Sequence, residues 1–149
     1  MEVSEQFLQQ TVAFSLLVME KIVKQLEKTY KKDLAYSEFY ALSIVNYFGD
    51  MSMSSLAKIF GMQKQQATRV VNRLVQKGYV QRTNDDTDRR IVLVRLTSKA
   101  RSYFRDYTAK TRKEITESLS GFSEAEIREF QAVIERINRM MMKIEVAKG

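Results

Sequence analysis

Apolar residues near the amino terminus recur every three or four positions, which is the spacing of one face of an α-helix. The pattern covers residues 4–30 and includes Phe7 and Val12. A second helix is predicted from an N-cap at Ser37 to a stop at Gly49. The first third of the chain is therefore predicted to form two amphipathic helices.

The carboxyl-terminal part of the chain is also predicted to form two helices. The first covers about residues 98–119, and the second begins after Ser123, where Glu126 completes a capping box. The terminal helices carry more apolar surface than a small central module would cover. This surplus fits either a bundle within one chain or an interface between two chains. We favour the interface and expect a homodimer.

The centre of the chain predicts a helix-turn-helix followed by a β-hairpin. A helix capped by Ser54 ends at Gly61, and the next helix covers about residues 63–77 with an unbroken apolar stripe. Two β-branched runs then flank the polar stretch 83–90. This is the layout of a winged helix. The predicted fold class is mainly α with a small β wing, in which a winged helix-turn-helix is flanked by helices.

The positive charge of the chain is concentrated in this central part. Residues 62–105 contain 11 Lys and Arg against 3 Asp, a net charge of +8, within a chain whose formal net charge is +7. A clustered basic patch is typical of a protein that binds nucleic acid. The polar residues on the outer face of the second central helix are Gln65, Gln66, Thr68, Arg69, Asn72, Arg73 and Gln76.

These residue types suit the reading of base edges, because Arg bonds to guanine and Gln or Asn bonds to adenine in the major groove. The alternative is a solvated helix face that merely lacks acids. In the hairpin, Arg89 and Arg90 are expected to reach the minor groove. Asp88 is expected to hold the Arg90 side chain by a charge-assisted hydrogen bond. A mobile hairpin with a weak exposed ion pair is the alternative there.

The residue types that the chain lacks exclude several classes of site. There is no Cys and no His, which excludes disulfides, thiolate metal sites and a histidine general base. We expect no enzyme activity, no metal and no cofactor. The longest apolar stretch, residues 12–19, is far shorter than the roughly 20 residues of a membrane span. We therefore expect a cytoplasmic protein that binds no membrane, and the overall plan of the chain indicates a bacterial source.

Residues 88–97, with the sequence DRRIVLVRLT, match the D-x-R-x-x-x-V-x-L-T wing signature of the multiple-antibiotic-resistance-regulator (MarR) family. Leu56-Ala57, Thr68-Arg69 and Lys77-Gly78-Tyr79-Val80 also resemble the pattern of that family. The resemblance covers essentially the whole chain. It implies a homodimer with one winged helix on each protomer, which binds double-stranded DNA at a pseudo-palindromic operator.

The resemblance also implies roles for individual residues. The residues implied to contact DNA are Gln65, Gln66, Thr68, Arg69 and Arg73 of the recognition helix and Asp88, Arg89 and Arg90 of the wing. Gln63 departs from the family pattern, because relatives commonly have a Ser there that caps the recognition helix. The absence of Cys separates this chain from relatives that sense peroxides through a thiol.

Other members of the family bind a small aromatic or amphipathic effector between the dimerisation helices and the winged helix. The candidate lining residues in this chain are Phe14, Leu17, Tyr36, Tyr40, Tyr47, Phe104 and Tyr107. The alternative is that these side chains are ordinary core.

The predicted organisation places the DNA-binding domain at residues 34–97 and the dimerisation region at residues 1–33 and 98–149. The predicted function is a sequence-specific transcriptional regulator, a homodimeric repressor that a small molecule releases from its operator. The alternative is a non-enzymatic architectural or protein-docking winged-helix module.

Overall fold

The structure is a computed structural model that describes residues 2–24, 26 and 34–144. The chain forms two compact units, Met1–Thr111 and Arg112–Gly149. Its helices and strands, in chain order, are α1 (Glu5–Val18), a π-helical turn (Met19–Val23), α2 (Tyr36–Phe48), β1 (Met51–Ser52), α3 (Met53–Phe60), α4 (Lys64–Gln76), β2 (Val80–Asn84), β3 (Val92–Leu96), α5 (Ser98–Ser118) and α6 (Glu124–Met141). The mainly α fold with a small β-sheet is confirmed.

The predicted first helix over residues 4–30 is confirmed as far as the structure describes it. A hydrogen bond from the backbone N–H of Phe7 to the Ser4 hydroxyl caps α1 at 3.2 Å. The π-helical turn then continues α1 as far as Val23. Residue 25 and residues 27–30 of the prediction lie outside the described residues.

The second helix begins earlier than predicted. Its N-cap is Ala35, and Ser37 lies inside the first turn. The backbone N–H of Ala35 donates to the carboxylate of Glu38 at 2.9 Å. An acid that reaches back to the N-cap therefore defines this helix start, without any hydroxyl cap. The predicted stop at Gly49 is confirmed, with a positive φ of 84° that favours glycine.

The start of α3 also differs from the prediction. Its N-cap is Ser52, whose hydroxyl accepts the backbone N–H of Ser55 at 3.1 Å, so Ser54 is not the cap. Ser52 holds this position because it belongs to β1, in which Met51 pairs with Val94 of β3. The chain therefore passes directly from a strand into a helix. A strand of two residues carries no alternation of apolar and polar positions, and sequence analysis did not predict it.

The predicted β-hairpin is confirmed. Strands β2 and β3 pair antiparallel from Val80 opposite Leu96 to Asn84 opposite Val92. The sheet order is β1-β3-β2, so β2 lies at one edge. Residues 85–91 connect the two strands, and we call this loop the wing.

One apolar core joins the helix-turn-helix, the sheet and the beginning of α5. The recognition helix α4 contributes a stripe of four residues, of which Val71 is completely buried. The apolar spacing also predicts that Val75 extends this stripe and that Ile59 of α3 packs inward, but these residues are 39% and 43% exposed. The buried residues of α4 are Ala67, Val70, Val71 and Leu74. This core fixes one side of α4 and leaves the opposite side in solvent.

Two helices expose their apolar faces. No residue of α1 is buried. Its exposed large apolar residues are Phe7, Leu8, Val12, Phe14, Leu16 and Leu17. In the second unit, α6 begins with the predicted capping box, in which the backbone N–H groups of Ser123 and Glu126 each donate to the other residue's side chain. The exposed large apolar residues of α6 are Ile127, Phe130, Val133, Ile134, Met140 and Met141.

A buried carboxylate ties α2 to the end of α4. Glu38 is only 1% exposed, and its Oε2 accepts a hydrogen bond from Lys77 Nζ at 2.6 Å. Arg73 Nη1 lies 4.0 Å from Glu38 Oε1. Burial alone would raise the pKa of Glu38. The hydrogen bonds from Lys77 and Ala35, together with the charges of Lys77 and Arg73, lower it below its ordinary value of 4.5.

We expect Glu38→Gln to lower the free energy of unfolding by about 1–3 kcal/mol at neutral pH, because a neutral amide replaces the buried carboxylate that pairs with Lys77. A carboxyl group whose pKa is lowered by folding stabilises the fold fully above its unfolded pKa. The difference from wild type should therefore shrink as the pH falls below the ordinary value of 4.5 and through the folded pKa. Urea unfolding at neutral and acid pH measures this difference.

A matched control is Glu129→Gln, which changes an exposed carboxylate on α6. It should alter the free energy of unfolding by less than about 0.5 kcal/mol. An effect of Glu38→Gln that is equal at neutral and acid pH would contradict the ion-pair explanation.

The start of α4 offers a second stability prediction. The N-cap Gln63 makes no side-chain capping bond, although its backbone N–H donates to the Gln66 side chain at 3.3 Å. Gln63→Ser adds a hydroxyl that accepts the backbone N–H of Gln66 and completes a capping box. We expect about 0.5–1 kcal/mol of added stability in thermal or urea unfolding. Gln63→Ala is the control and should bring no such gain.

Candidate nucleic-acid interface

The recognition helix α4 presents a polar face because all its buried residues lie on one side. A helical period of about 3.6 residues places four side chains opposite that buried stripe. These side chains are Gln65, Arg69, Asn72 and Gln76, and all four are exposed. The face contains no acidic residue, so it offers hydrogen-bond donors and acceptors together with positive charge.

The predicted DNA-binding residues of α4 differ in how many hydrogen bonds their side chains already make within the protein. Among the described residues, the side chains of Gln65 and Arg69 make no hydrogen bond or ion pair. The Thr68 hydroxyl donates to the backbone carbonyl of Lys64 at 2.9 Å, which leaves its methyl group and lone pairs for a partner. Gln66 uses its side-chain oxygen at the N-cap. Arg69 and Gln65 are therefore the most available of this set.

Arg73 lies at the edge of the face and is held from within. Its side chain is 52% exposed, and its guanidinium lies 4.0 Å from the buried carboxylate of Glu38. Such a contact orients the side chain towards the amino end of α2. Arg73 therefore contributes positive charge, and its contact with Glu38 restricts the orientations of its side chain.

The wing is a structured turn. The carboxylate of Asp85 accepts the backbone N–H groups of Thr87 at 2.8 Å and Asp88 at 2.9 Å. These two bonds lower the pKa of Asp85 below its ordinary value. Backbone bonds from Asp85 to Ile91 and from Ile91 to Asp88 close the loop at 2.9 Å each. An Asx-type turn thus sets the direction in which the tip points.

The predicted hydrogen bond between Asp88 and the Arg90 side chain is wrong, because Asp88 bonds to the backbone of Arg90. The Asp88 carboxylate accepts the backbone N–H of Arg90 at 3.0 Å, because the two residues lie in one turn. No ion pair of Arg89 or Arg90 occurs within residues 2–24, 26 and 34–144. Both guanidinium groups are exposed, so they are available to an outside anion.

One contact beside α4 is not predicted by the sequence. Arg82 of β2 donates from Nη2 to the Asn72 side-chain oxygen at 2.6 Å. Alternation places Arg82 on the same face of β2 as the buried Val80, but its side chain is exposed, so the strand pattern gave no signal of this contact. The pairing itself depends on how β2 packs beside α4, which periodicity does not specify.

The seven candidate effector residues fall into separate places. Phe104 is buried in the core and Tyr107 packs against it, with 6.4 Å between their ring centroids. Tyr36 and Tyr40 are exposed, and their rings stack on the surface of α2 at 6.1 Å. The remaining exposed members are Phe14, Leu17 and Tyr47. The structure brings two pairs together but does not unite all seven, and the effector site stays a prediction.

Two other kinds of feature are absent from the described part of the chain. It contains no group of three or more acidic side chains placed to hold a metal ion. None of its helices combines the length and apolar character that crossing a membrane requires.

Known proteins have sequences and folds similar to those of this chain. A sequence model of the MarR family matches residues 32–91. Over 118 residues the chain is 30% identical to YfiV of Bacillus subtilis, an uncharacterized HTH-type transcriptional regulator, with coverage of 79% of this chain and 72% of that protein.

Solved structures give the same fold. A MarR family protein from Bacillus stearothermophilus aligns with a TM-score of 0.78 at 19% identity, over 95% of this chain and all of that one. The transcriptional regulator BldR from Sulfolobus solfataricus aligns with a TM-score of 0.68 at 26% identity, over 97% of this chain and all of that one. With its winged helix, basic recognition face and wing signature, this chain belongs to the MarR family of transcriptional regulators.

Proposed function

We propose that this protein is a homodimeric repressor that binds a pseudo-palindromic operator and is released by a small-molecule effector. The observation that carries the proposal is the set of unpaired cations on one domain. Arg69 on α4 and Arg89 and Arg90 on the wing make no ion pair with any described residue. Free guanidinium groups at a helix face and a wing suit base edges and phosphates.

We propose that α4 enters the major groove and that the wing reaches the minor groove. The major groove of B-DNA is about 12 Å wide and admits one α-helix, so α4 can bring Gln65 and Arg69 to base edges. The wing, braced by Asp85, extends Arg89 and Arg90 beyond the sheet. A narrow minor groove carries an enhanced negative potential that attracts such arginines.

The exposed apolar faces support a dimer. Monomeric soluble proteins rarely leave large contiguous apolar patches in water, and α1 and α6 each expose a row of large apolar residues. A two-fold dimer buries the same patch from both copies. It also presents two recognition helices to the two halves of an inverted repeat.

Release by an effector is a shift between two dimer geometries. An effector changes the equilibrium only if it prefers the geometry in which the two α4 helices no longer match the operator. The exposed Tyr36 and Tyr40 pair is a candidate contact for an aromatic effector. We assign no enzymatic role and expect the protein to act in the cytoplasm, where its operator DNA lies.

The first test is selection of DNA from a random duplex pool by the full-length protein at near-physiological salt. We expect enrichment of an inverted repeat with half-sites about 10 bp apart, since a two-fold dimer places its recognition helices about one DNA turn apart. Binding to the selected duplex should weaken steeply with salt, with a logarithmic slope of about −0.9 for each phosphate contact.

Two results would count against this proposal. Retention without an enriched motif would favour an architectural module that coats DNA. An enriched single half-site, together with a monomer in sedimentation, would contradict the dimer. A scrambled duplex of the same composition is the control for binding that ignores sequence.

A separate prediction concerns the wing. Arg89→Ala and Arg90→Ala should each weaken binding to the selected operator by about 1.5–3 kcal/mol when the flanks are A·T-rich, because a charge-assisted contact in the narrow groove is lost. The loss should be smaller with G·C-rich flanks. Fluorescence anisotropy on matched duplexes measures both.

Arg128→Ala, which removes an exposed charge from α6, is the control for a general loss of positive charge. It should not distinguish the two kinds of flank. Equal losses on both flanks for the wing variants would refute the minor-groove contact.

A further inference from the structure

We infer that Asn72 reads a base as a hydrogen-bond donor only and that Arg82 imposes this role, so that the pair selects guanine over adenine at one position of each half-site. The inference rests on the proposed function of α4 in the major groove. It deepens that function by naming a specificity-determining residue and the residue that positions it.

The orientation of the Asn72 amide follows from the chemistry of its neighbour. Arg82 Nη2 lies 2.6 Å from Asn72 Oδ1. A guanidinium group has donors and no acceptor, so the atom that faces it must be the amide oxygen. The amide nitrogen of Asn72 is then turned away from Arg82 and keeps both of its hydrogens.

The position of the pair places that nitrogen at the interface. Asn72 lies on the exposed polar face of α4, three residues after Arg69, so the two side chains are neighbours on the helix surface. Arg82 is an exposed residue of the edge strand β2, where it pairs with Val94. Its side chain extends from the sheet to α4, so the contact links the wing-bearing hairpin to the recognition helix.

The choice between bases follows from which groups remain available. A free Asn reads adenine by accepting from N6 and donating to N7 at once. Here a cation occupies one of the two lone pairs of the oxygen, and adenine N6, as a second donor, would have to approach that cation to reach the other. The pair therefore offers donors alone. Guanine presents two acceptors, O6 and N7, on its major-groove edge and fits this arrangement.

The test compares the base preferences of wild type, Asn72→Ala, Arg82→Ala and Arg82→Lys by selection and by anisotropy on single-base variants of the enriched operator. In wild type one position should prefer guanine to adenine by about three- to tenfold, the worth of one or two net hydrogen bonds. Asn72→Ala should abolish the preference there. Arg82→Ala frees the amide oxygen and should shift that position towards adenine.

Arg82→Lys keeps a cationic donor for the amide oxygen and should retain the preference for guanine. Arg128→Ala is the matched control, since it removes the same charge from an exposed position on α6 and should leave the preference at this position intact. Thermal unfolding of each variant identifies any that fails to fold. If Arg82→Ala fails to fold, Arg82→Lys still tests the positioning role.

The inference is overturned if Arg82→Ala weakens binding equally for all sequences, which would mark Arg82 as a phosphate contact. It is also overturned if the base preference that Asn72→Ala removes is a preference for adenine in the wild type. In both cases the inverted repeat remains and the proposed function stands. If the wild type, like the variants, enriches no inverted repeat, the proposed function fails and this inference fails with it.

Discussion

The recognition helix can present a face to DNA because a buried carboxylate fixes its carboxyl end. Glu38 is almost completely buried, and it receives Lys77 from the end of α4 at 2.6 Å. Its position in the first turn of α2 also places it where the helix dipole favours negative charge, while Lys77 lies where the dipole of α4 favours positive charge. Glu38 therefore joins the two helices, and each member of the ion pair compensates the dipole of its own helix.

The acids of the winged helix are largely used to build it. Glu38 holds α4, Asp50 bonds to Arg95 at 2.6 Å, and Asp85 and Asp88 close the wing with their carboxylates. None of these four lies on the exposed face of α4. Residues 62–105 carry a net charge of +8, so the guanidinium groups that remain without an ion pair add to a field of positive sign.

The sequence predicted the elements whose cause is local. Apolar periodicity located α4, the polar stretch between two β-branched runs located the wing, and Ser123 with Glu126 located the start of α6. Features that depend on a partner distant in sequence escaped it. The start of α3 follows from the pairing of β1 with β3, and the contact of Arg82 with Asn72 follows from the packing of β2 beside α4. No sequence spacing encodes either pairing.

These contacts constrain how the proposed repressor can be switched. Within one winged helix, α4 is held by its buried stripe, by Glu38 at its carboxyl end and by Arg82 near its middle. Tilting α4 inside its own domain would break all three, and packed cores do not deform continuously. A shift in the spacing between two intact winged helices of a dimer breaks none of them. Because operator half-sites require a spacing of about 34–36 Å between the recognition helices, the separation of the domains is the variable that an effector would change.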